Sequence, residues 1–279
     1  METDNQTIHD YFFILIHTDH EYSTALFALS YQTIGGAVIV PLYYLTYVLT
    51  STSDTYYTSG RAVPLPYARG MLFSYVVGFL IPTLAMYTPG LSAETAQLLT
   101  FIWQPAPVFV NILLFISSLI HPSTNTTKKT NNNPDDVKHL KRIYSFVALV
   151  CALSHVWTMH TCLTSKNPKL SLSYVFLPNR DLWTRSSAAG LHYIFQVDWW
   201  GCFAPTLLWC WITVYDVHRL LLGGNSSAAQ LLKWAVYIVV LAVVIGPGAT
   251  LALVWNWRED RLVMIESGVR GAARKPKTA

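Results

Sequence analysis

The chain has 279 residues, of which 52% are apolar and only 12% charged, with a formal net charge of +4. Soluble domains carry roughly 25% charged residues, so too few charges are present to wet the surface of a soluble protein of this size, and lipid is the solvent that fits the remaining surface. The basic residues lie between apolar segments and form no stripe, which excludes a nucleic-acid interface.

A bilayer core about 30 Å thick takes about 20 apolar residues of helix. Residues 1–10 lack the basic region of a signal peptide, and Asp19, His20 and Glu21 follow the short apolar run Tyr11 to His17, so the first span is expected to act as the insertion signal. Spans are expected at about Leu26–Leu49, Gly70–Tyr87, Leu98–Ile120 and Ile143–Leu163. Thr88-Pro89-Gly90 reads as a turn, and His121 to Asp136 as a mobile polar loop. Ser171 to Pro178 is too short to cross and is expected to re-enter. Leu191 to Val214 is less apolar than the others but long enough to cross, and Leu232–Trp255 completes a set of about six. Prolines 82, 105, 107, 205 and 247 are expected to kink several spans and open cavities. The expected fold is an all-α polytopic transmembrane helix bundle of about six to eight spans. One domain is expected over residues 1–268, with a basic, disordered tail at 269–279. Lysines and arginines divide almost evenly between the two sides, so orientation does not follow from them.

Ionisable residues inside a span are costly and face a cavity or a partner. Asp198 is expected about four residues from the middle of its span, roughly 6 Å along the axis at 1.5 Å per residue, and reads as the only acidic residue deep in any span. Asp216, beside His218 and Arg219, reads as a rim residue. For Asp198 the alternative is a structural hydrogen bond between helices. A carboxyl group in an apolar cavity holds its proton and is a strong general acid toward a substrate that water does not reach. Trp199 and Trp200 follow it directly, and Trp103, Trp157, Trp209 and Trp211 stand near other span centres or ends. Aromatic faces stabilise cations, although tryptophan is also enriched at membrane interfaces for anchoring alone. His155, Thr158 and His160 on one span, Asn111 on another and Gln32 on the first are the remaining polar groups in spans. The histidines are not spaced as a haem pair. Cys151, Cys162, Cys202 and Cys210 match no metal or redox motif and read as small packing residues. No aspartate-rich motif, phosphate-cradling glycine loop or nucleophile elbow occurs, so neither metal nor cofactor is expected.

Four stretches carry a resemblance: Phe79-Leu-Ile-Pro82-Thr83-Leu, Trp103-Gln104-Pro105-Ala-Pro107, Leu140 through Tyr144 with His155 downstream, and Phe195-Gln196-Val-Asp198-Trp199-Trp200. Spread over about residues 70–215, they resemble the small fungal integral-membrane terpene cyclases of meroterpenoid and indole-diterpene pathways, including the ascochlorin-type cyclases. The resemblance implies a lumen where an epoxide or terminal alkene of a prenylated substrate is protonated and the carbocation cyclises without a metal. It assigns the acid to Asp198 and pocket lining to Gln196, Trp199 and Trp200. Trp103, Gln104, Asn111, His155 and Trp157 complete the candidate substrate-binding set, and Glu94, at the rim before the third span, is the candidate second acid. Family members show seven or eight spans.

The function expected is therefore a membrane-bound, metal-independent terpene cyclase, multi-pass in the endoplasmic reticulum. Its partners are a lipophilic prenylated small molecule and membrane lipid. The alternatives are a non-enzymatic carrier or receptor for a lipophilic ligand, with Asp198 as a hydrogen-bonding anchor, and a sterol-type double-bond isomerase.

Overall fold

The structure is a computed structural model that describes residues 27, 30–51, 63–121, 135–223 and 227–266. Tyr11 to His17, most of the loop from His121 to Asp136 and the basic tail lie outside the described residues. All regular elements among the described residues are helical, as expected from the composition. Packing divides the chain into two compact units, residues 1–34 with 55–143, and residues 35–54 with 144–279.

In the first unit, α2 (Leu65–Tyr75) runs through a π turn (Val76–Leu80) into α3 (Ile81–Met86); α1 belongs to the second unit and is described below. Pro82 has no N–H and its ring crowds the carbonyl four residues back, and the wider turn just ahead of it relieves that clash. α4 (Ala93–Trp103) is capped by the Ser92 hydroxyl, which accepts from Thr95 N–H. α5 (Ala106–Ile120) follows after Gln104-Pro105, with a bend of 52° between the two helices. The proline break expected in the third span is thus a sharp corner. Gly70 lies against the Ser117 side chain, and a Cβ on Gly78 would come 2.9 Å from Val110 N, so two missing side chains let α2 and α5 meet backbone to backbone.

The second unit holds α1 (Gly36–Thr50), most of α6 (Val137–Thr164), the short α7 (Leu172–Phe176) and α8 (Arg180–Trp183), then α9 (Ser187–Leu222), α10 (Ala228–Ile245) and α11 (Pro247–Glu266). α9 is continuous through Pro205 for 36 residues, about 54 Å at 1.5 Å per residue. α1 and α9 run in the same direction: Gly36 meets Cys202, Ala37 meets Gly201, and the Tyr47 ring meets Trp209 at 5.3 Å.

The stretch Leu232–Trp255, expected as one span, is two helices. Gly246 takes φ +92°, a conformation open to glycine, and Pro247 starts a new helix. The His218 ring lies 4.8 Å from Trp234 on α10 and 5.6 Å from Trp257 on α11, so the two arms fold back on each other about Gly246. The apolar pattern is continuous across the corner, and only the Gly-Pro pair marks it.

Three rods are long and apolar enough to cross a bilayer: Leu65–Met86, α6 and α10; the bent pair α4–α5 makes a fourth if it is one span. α1 is apolar but shorter. The outward faces of α6 and α10 expose Leu149, Leu153, Trp157, Val239, Val240, Val243 and Val244, a surface that suits acyl chains rather than water. Within Ser171 to Pro178 the chain forms α7, too short to cross, just after one turn of 3-10 helix (Pro168–Leu170).

Candidate active site

Asp198 sits on α9 where that helix meets the start of α1. Gly35, at φ +113°, turns the chain into α1, and Ala37 N–H donates to Asp198 Oδ1 at 2.6 Å. A Cβ on Gly36 would stand 3.2 Å from Oδ2 and 2.6 Å from Cys202 Sγ. A Cβ on Gly201 would stand 2.5 Å from the Ala37 Cβ. The Gly35-Gly36 pair and Gly201 therefore create the space in which the carboxyl reaches the helix start. One oxygen is anchored at the positive end of the α1 dipole. The other lies beside the bare Gly36 backbone, and Asp198 as a whole is half-buried. This arrangement serves the structural alternative as well as the chemical one, because the bond joins two helices.

The residues beside Asp198 divide by role. Gln196 is buried, and its Nε2 donates to the carbonyls of Tyr174 at 2.6 Å, Val175 at 3.2 Å and Leu177 at 3.1 Å. His192 Nε2 donates to Tyr174 O at 2.8 Å, since a carbonyl only accepts, and its ring stacks on the Tyr174 ring at 4.8 Å. Trp200 Nε1 donates to Phe176 O at 2.8 Å. Residues 192, 196 and 200 fall at successive turns of α9 and form one stripe. That stripe straps down the carbonyl end of α7, which satisfies the last carbonyls of a short helix. Trp199 packs edge-on against Phe176 at 5.3 Å, Trp200 at 4.9 Å and Phe203 at 5.3 Å. The chain thus places an aromatic cluster on the residues that follow Asp198 in α9, and α7, in the segment expected to re-enter, contributes Phe176 to it.

The other candidates have different surroundings. His155 Nε2 donates to Val243 O at 3.0 Å, and its ring abuts Gly246. Val243 is the residue whose carbonyl would normally bond the N–H at position 247, which proline lacks. His155 fills that vacancy and pins the α10–α11 corner. Trp157 faces outward, 74% exposed. Trp103, Gln104, Asn111 and Glu94 belong to the first unit. Trp103 Nε1 donates to Thr83 Oγ1 at 2.9 Å, and Asn111 Nδ2 bonds back to Pro107 O at 2.7 Å within its own helix. Gln104 and Glu94 are exposed, Glu94 on the first turn of α4.

Asp198 is not alone as a shielded acid. Glu259 is 3% exposed and Arg258 5%. Arg258 Nη1 donates to Glu259 Oε1 at 3.4 Å and Nη2 to Tyr47 Oη at 2.8 Å, and the guanidinium lies 5.0 Å over the Trp255 ring. Trp255 stacks on the fully buried Trp209 at 5.0 Å, and Tyr144 lies 5.9 Å from it. The last span expected from the sequence ends at Trp255, just before Arg258. The signal passed over is Leu262-Val263-Met264-Ile265, an apolar run after the charges that keeps the helix going.

The CtvD-domain family model matches residues 19–264. The chain is 30% identical over 266 residues to a terpene cyclase, rstn5, of Aspergillus nomiae, covering 92% of this chain and 68% of the relative. It is 24% identical over 267 residues to the terpene cyclase ascI of Acremonium egyptiacum, covering 90% and 67%. It is also 30% identical over 240 residues to an FAD-dependent monooxygenase, verC1, of Penicillium polonicum, covering 85% of this chain but 28% of that protein. The chain thus spans about two thirds of these two cyclases and little more than a quarter of the monooxygenase. No solved structure matches.

Proposed function

The chain belongs to the CtvD-domain family, and from that premise we propose that it is a membrane-bound terpene cyclase, in which Asp198 protonates an epoxide of a prenylated substrate and starts a carbocation cyclisation. The observation that carries the reading is the mounting of Asp198. Ala37 N–H fixes Oδ1, which leaves Oδ2 to hold the proton beside the Gly36 backbone. Once the epoxide oxygen takes that proton, its C–O bond breaks to leave a hydroxyl and an electron-poor carbon, the π electrons of an alkene in the same chain attack that carbon to close a ring, and the cation so moved along the chain ends by losing a proton to a base. Trp199, Trp200, Phe203 and Phe176, which pack together on and against the turn of α9 that follows the acid, are the π groups proposed to stabilise the cation. The carboxylate left behind keeps the Ala37 N–H as its hydrogen-bond donor.

Two of the relatives are named terpene cyclases. Another is a much longer FAD-dependent monooxygenase that contains a region like this chain. The apolar outer faces of α6 and α10 support residence in a membrane, and we assign it to the endoplasmic reticulum. Gln196 acts by holding α7 in place, and Trp200 both holds α7 and adjoins the aromatic cluster.

The test is Asp198→Asn in microsomes fed a prenylated phenol epoxide. Asn keeps an oxygen for Ala37 N–H but has no acidic proton, so the variant is expected to insert stably and to lose cyclisation by about 100-fold or more, the scale of a lost general acid. Full cyclisation by a stably inserted variant sinks the acid role.

A further inference from the structure

We propose that Arg69 on α2 and Lys138, His139 and Arg142 on α6 form a docking site for an anionic phospholipid, which sets its phosphate among these basic side chains and lays an acyl chain along the outward face of α2 and α3. The inference rests on the membrane residence proposed above and not on the chemistry of Asp198.

The site is assembled inside the first unit. Asp136, buried just ahead of α6, accepts from Val63 N–H at 3.1 Å, just ahead of α2. That bond brings the starts of the two helices together. The charges of Lys138, Arg142 and Arg69 all bear on the half-buried His139 ring. Lys138 and Arg142 are exposed one turn apart on α6, and Arg69 is exposed on α2. Against these three cations stands the Asp135 carboxylate, 3.2 Å from Lys138 Nζ on the surface. Among the described residues neither Arg69 nor Arg142 has a carboxylate within ion-pair distance. Nothing in the local helix favours this grouping: like charges four residues apart repel, and cations at a helix start oppose its dipole. A phosphate supplies the missing opposite charge, and guanidinium and ammonium groups are strong donors to its oxygens.

The same rod provides for the tail. Arg69, Phe73, Val77 and Ile81 recur at every fourth residue through α2, the π turn and α3, and all four are exposed. From Arg69 to Ile81 the rod covers about 18 Å at 1.5 Å per residue. Half of a bilayer core about 30 Å thick is about 15 Å. The face therefore begins in a cation and continues in apolar side chains over the depth of one leaflet, which is the layout of a phospholipid. A phosphate free in solution would use the cations and leave Phe73, Val77 and Ile81 uncovered.

The experiment measures lipid binding rather than turnover. The full chain in neutral detergent is titrated with phosphatidic acid carrying a fluorescent tail, and the probe is displaced by unlabelled phosphatidic acid, phosphatidylcholine or inorganic phosphate. Wild type is expected to bind phosphatidic acid about tenfold more tightly than phosphatidylcholine, with the preference shrinking as salt is added. Inorganic phosphate is expected to leave the probe in place. The double variant Arg69→Gln, Arg142→Gln is expected to lose about tenfold in affinity for phosphatidic acid, the scale of lost charged hydrogen bonds, and to bind phosphatidylcholine as wild type does. The charge-keeping pair Arg69→Lys, Arg142→Lys is expected to retain most of the preference, and Lys233→Gln, in the second unit, to retain all of it. A wild type without preference, an equal loss of both lipids in the glutamine variant, or the same loss in Lys233→Gln overturns the proposal. Displacement by inorganic phosphate as effective as by phosphatidic acid marks a site for free phosphate and overturns the lipid assignment. A chain that stays soluble without detergent and takes up neither lipid overturns the membrane reading as well. One that inserts into phosphatidylcholine vesicles but shows no preference overturns this proposal alone.

Discussion

At the scale of single residues, glycines and one histidine decide what the titratable groups can do. Gly36 is small because the Asp198 carboxyl and the Cys202 thiol occupy the place of its Cβ. Gly36→Ala is expected to cost about 1–3 kcal/mol by overpacking, read as a lower midpoint of thermal unfolding in detergent. Cys202→Ala, in the same chain, is expected to restore part of that loss, because the sulfur is the nearest obstacle. His155 illustrates the other direction. It drew attention as a polar group in a span, and its ring in fact donates to the carbonyl that Pro247 leaves without an N–H. His155→Ala is expected to cost about 1–3 kcal/mol through that unsatisfied carbonyl. Thermal unfolding measures it, and a variant as stable as the parent would show that water or lipid headgroups reach the corner.

At the scale of elements, the sequence read helices well and corners poorly. The apolar lengths of α6 and α10 were plain, because lipid-facing helices must be apolar along most of their length. The strap of α7 on α9 was not legible, since nothing in the sequence shows that Gln196, His192 and Trp200 donate to carbonyls of α7 and its end. Gln196→Leu is expected to free residues 172–177. Hydrogen exchange there should rise by about tenfold, the equivalent of roughly 1.4 kcal/mol, while exchange in α6 stays as it was. Unchanged protection of α7 would mean that His192 and Trp200 hold it without Gln196.

At the scale of the whole molecule, the fold class, helices apolar enough to cross a membrane and the family were within reach of composition and a few motifs, whereas the number of such helices was not. A run such as Leu232–Trp255 satisfies every hydropathy criterion for one crossing, yet a single glycine at φ +92° turns it back on itself. Cysteines placed at Ala228 and Glu266 in microsomes are therefore expected to react with an impermeant maleimide from the same side of the membrane. Reaction from opposite sides would restore the single span.

The sequence by itself determined an all-helical chain with apolar spans and the family resemblance, and it drew attention to Asp198, because hydropathy, helical spacing and a carboxyl beside tryptophans are local properties of the chain. The tertiary structure alone decided what each polar group bonds to. Asp198 met the N-terminus of α1 across 161 positions of sequence, and Arg258 met Tyr47 across 211. A buried hydrogen bond is a property of two partners, and the identity of the second partner is set by helix packing rather than by either residue's own neighbours.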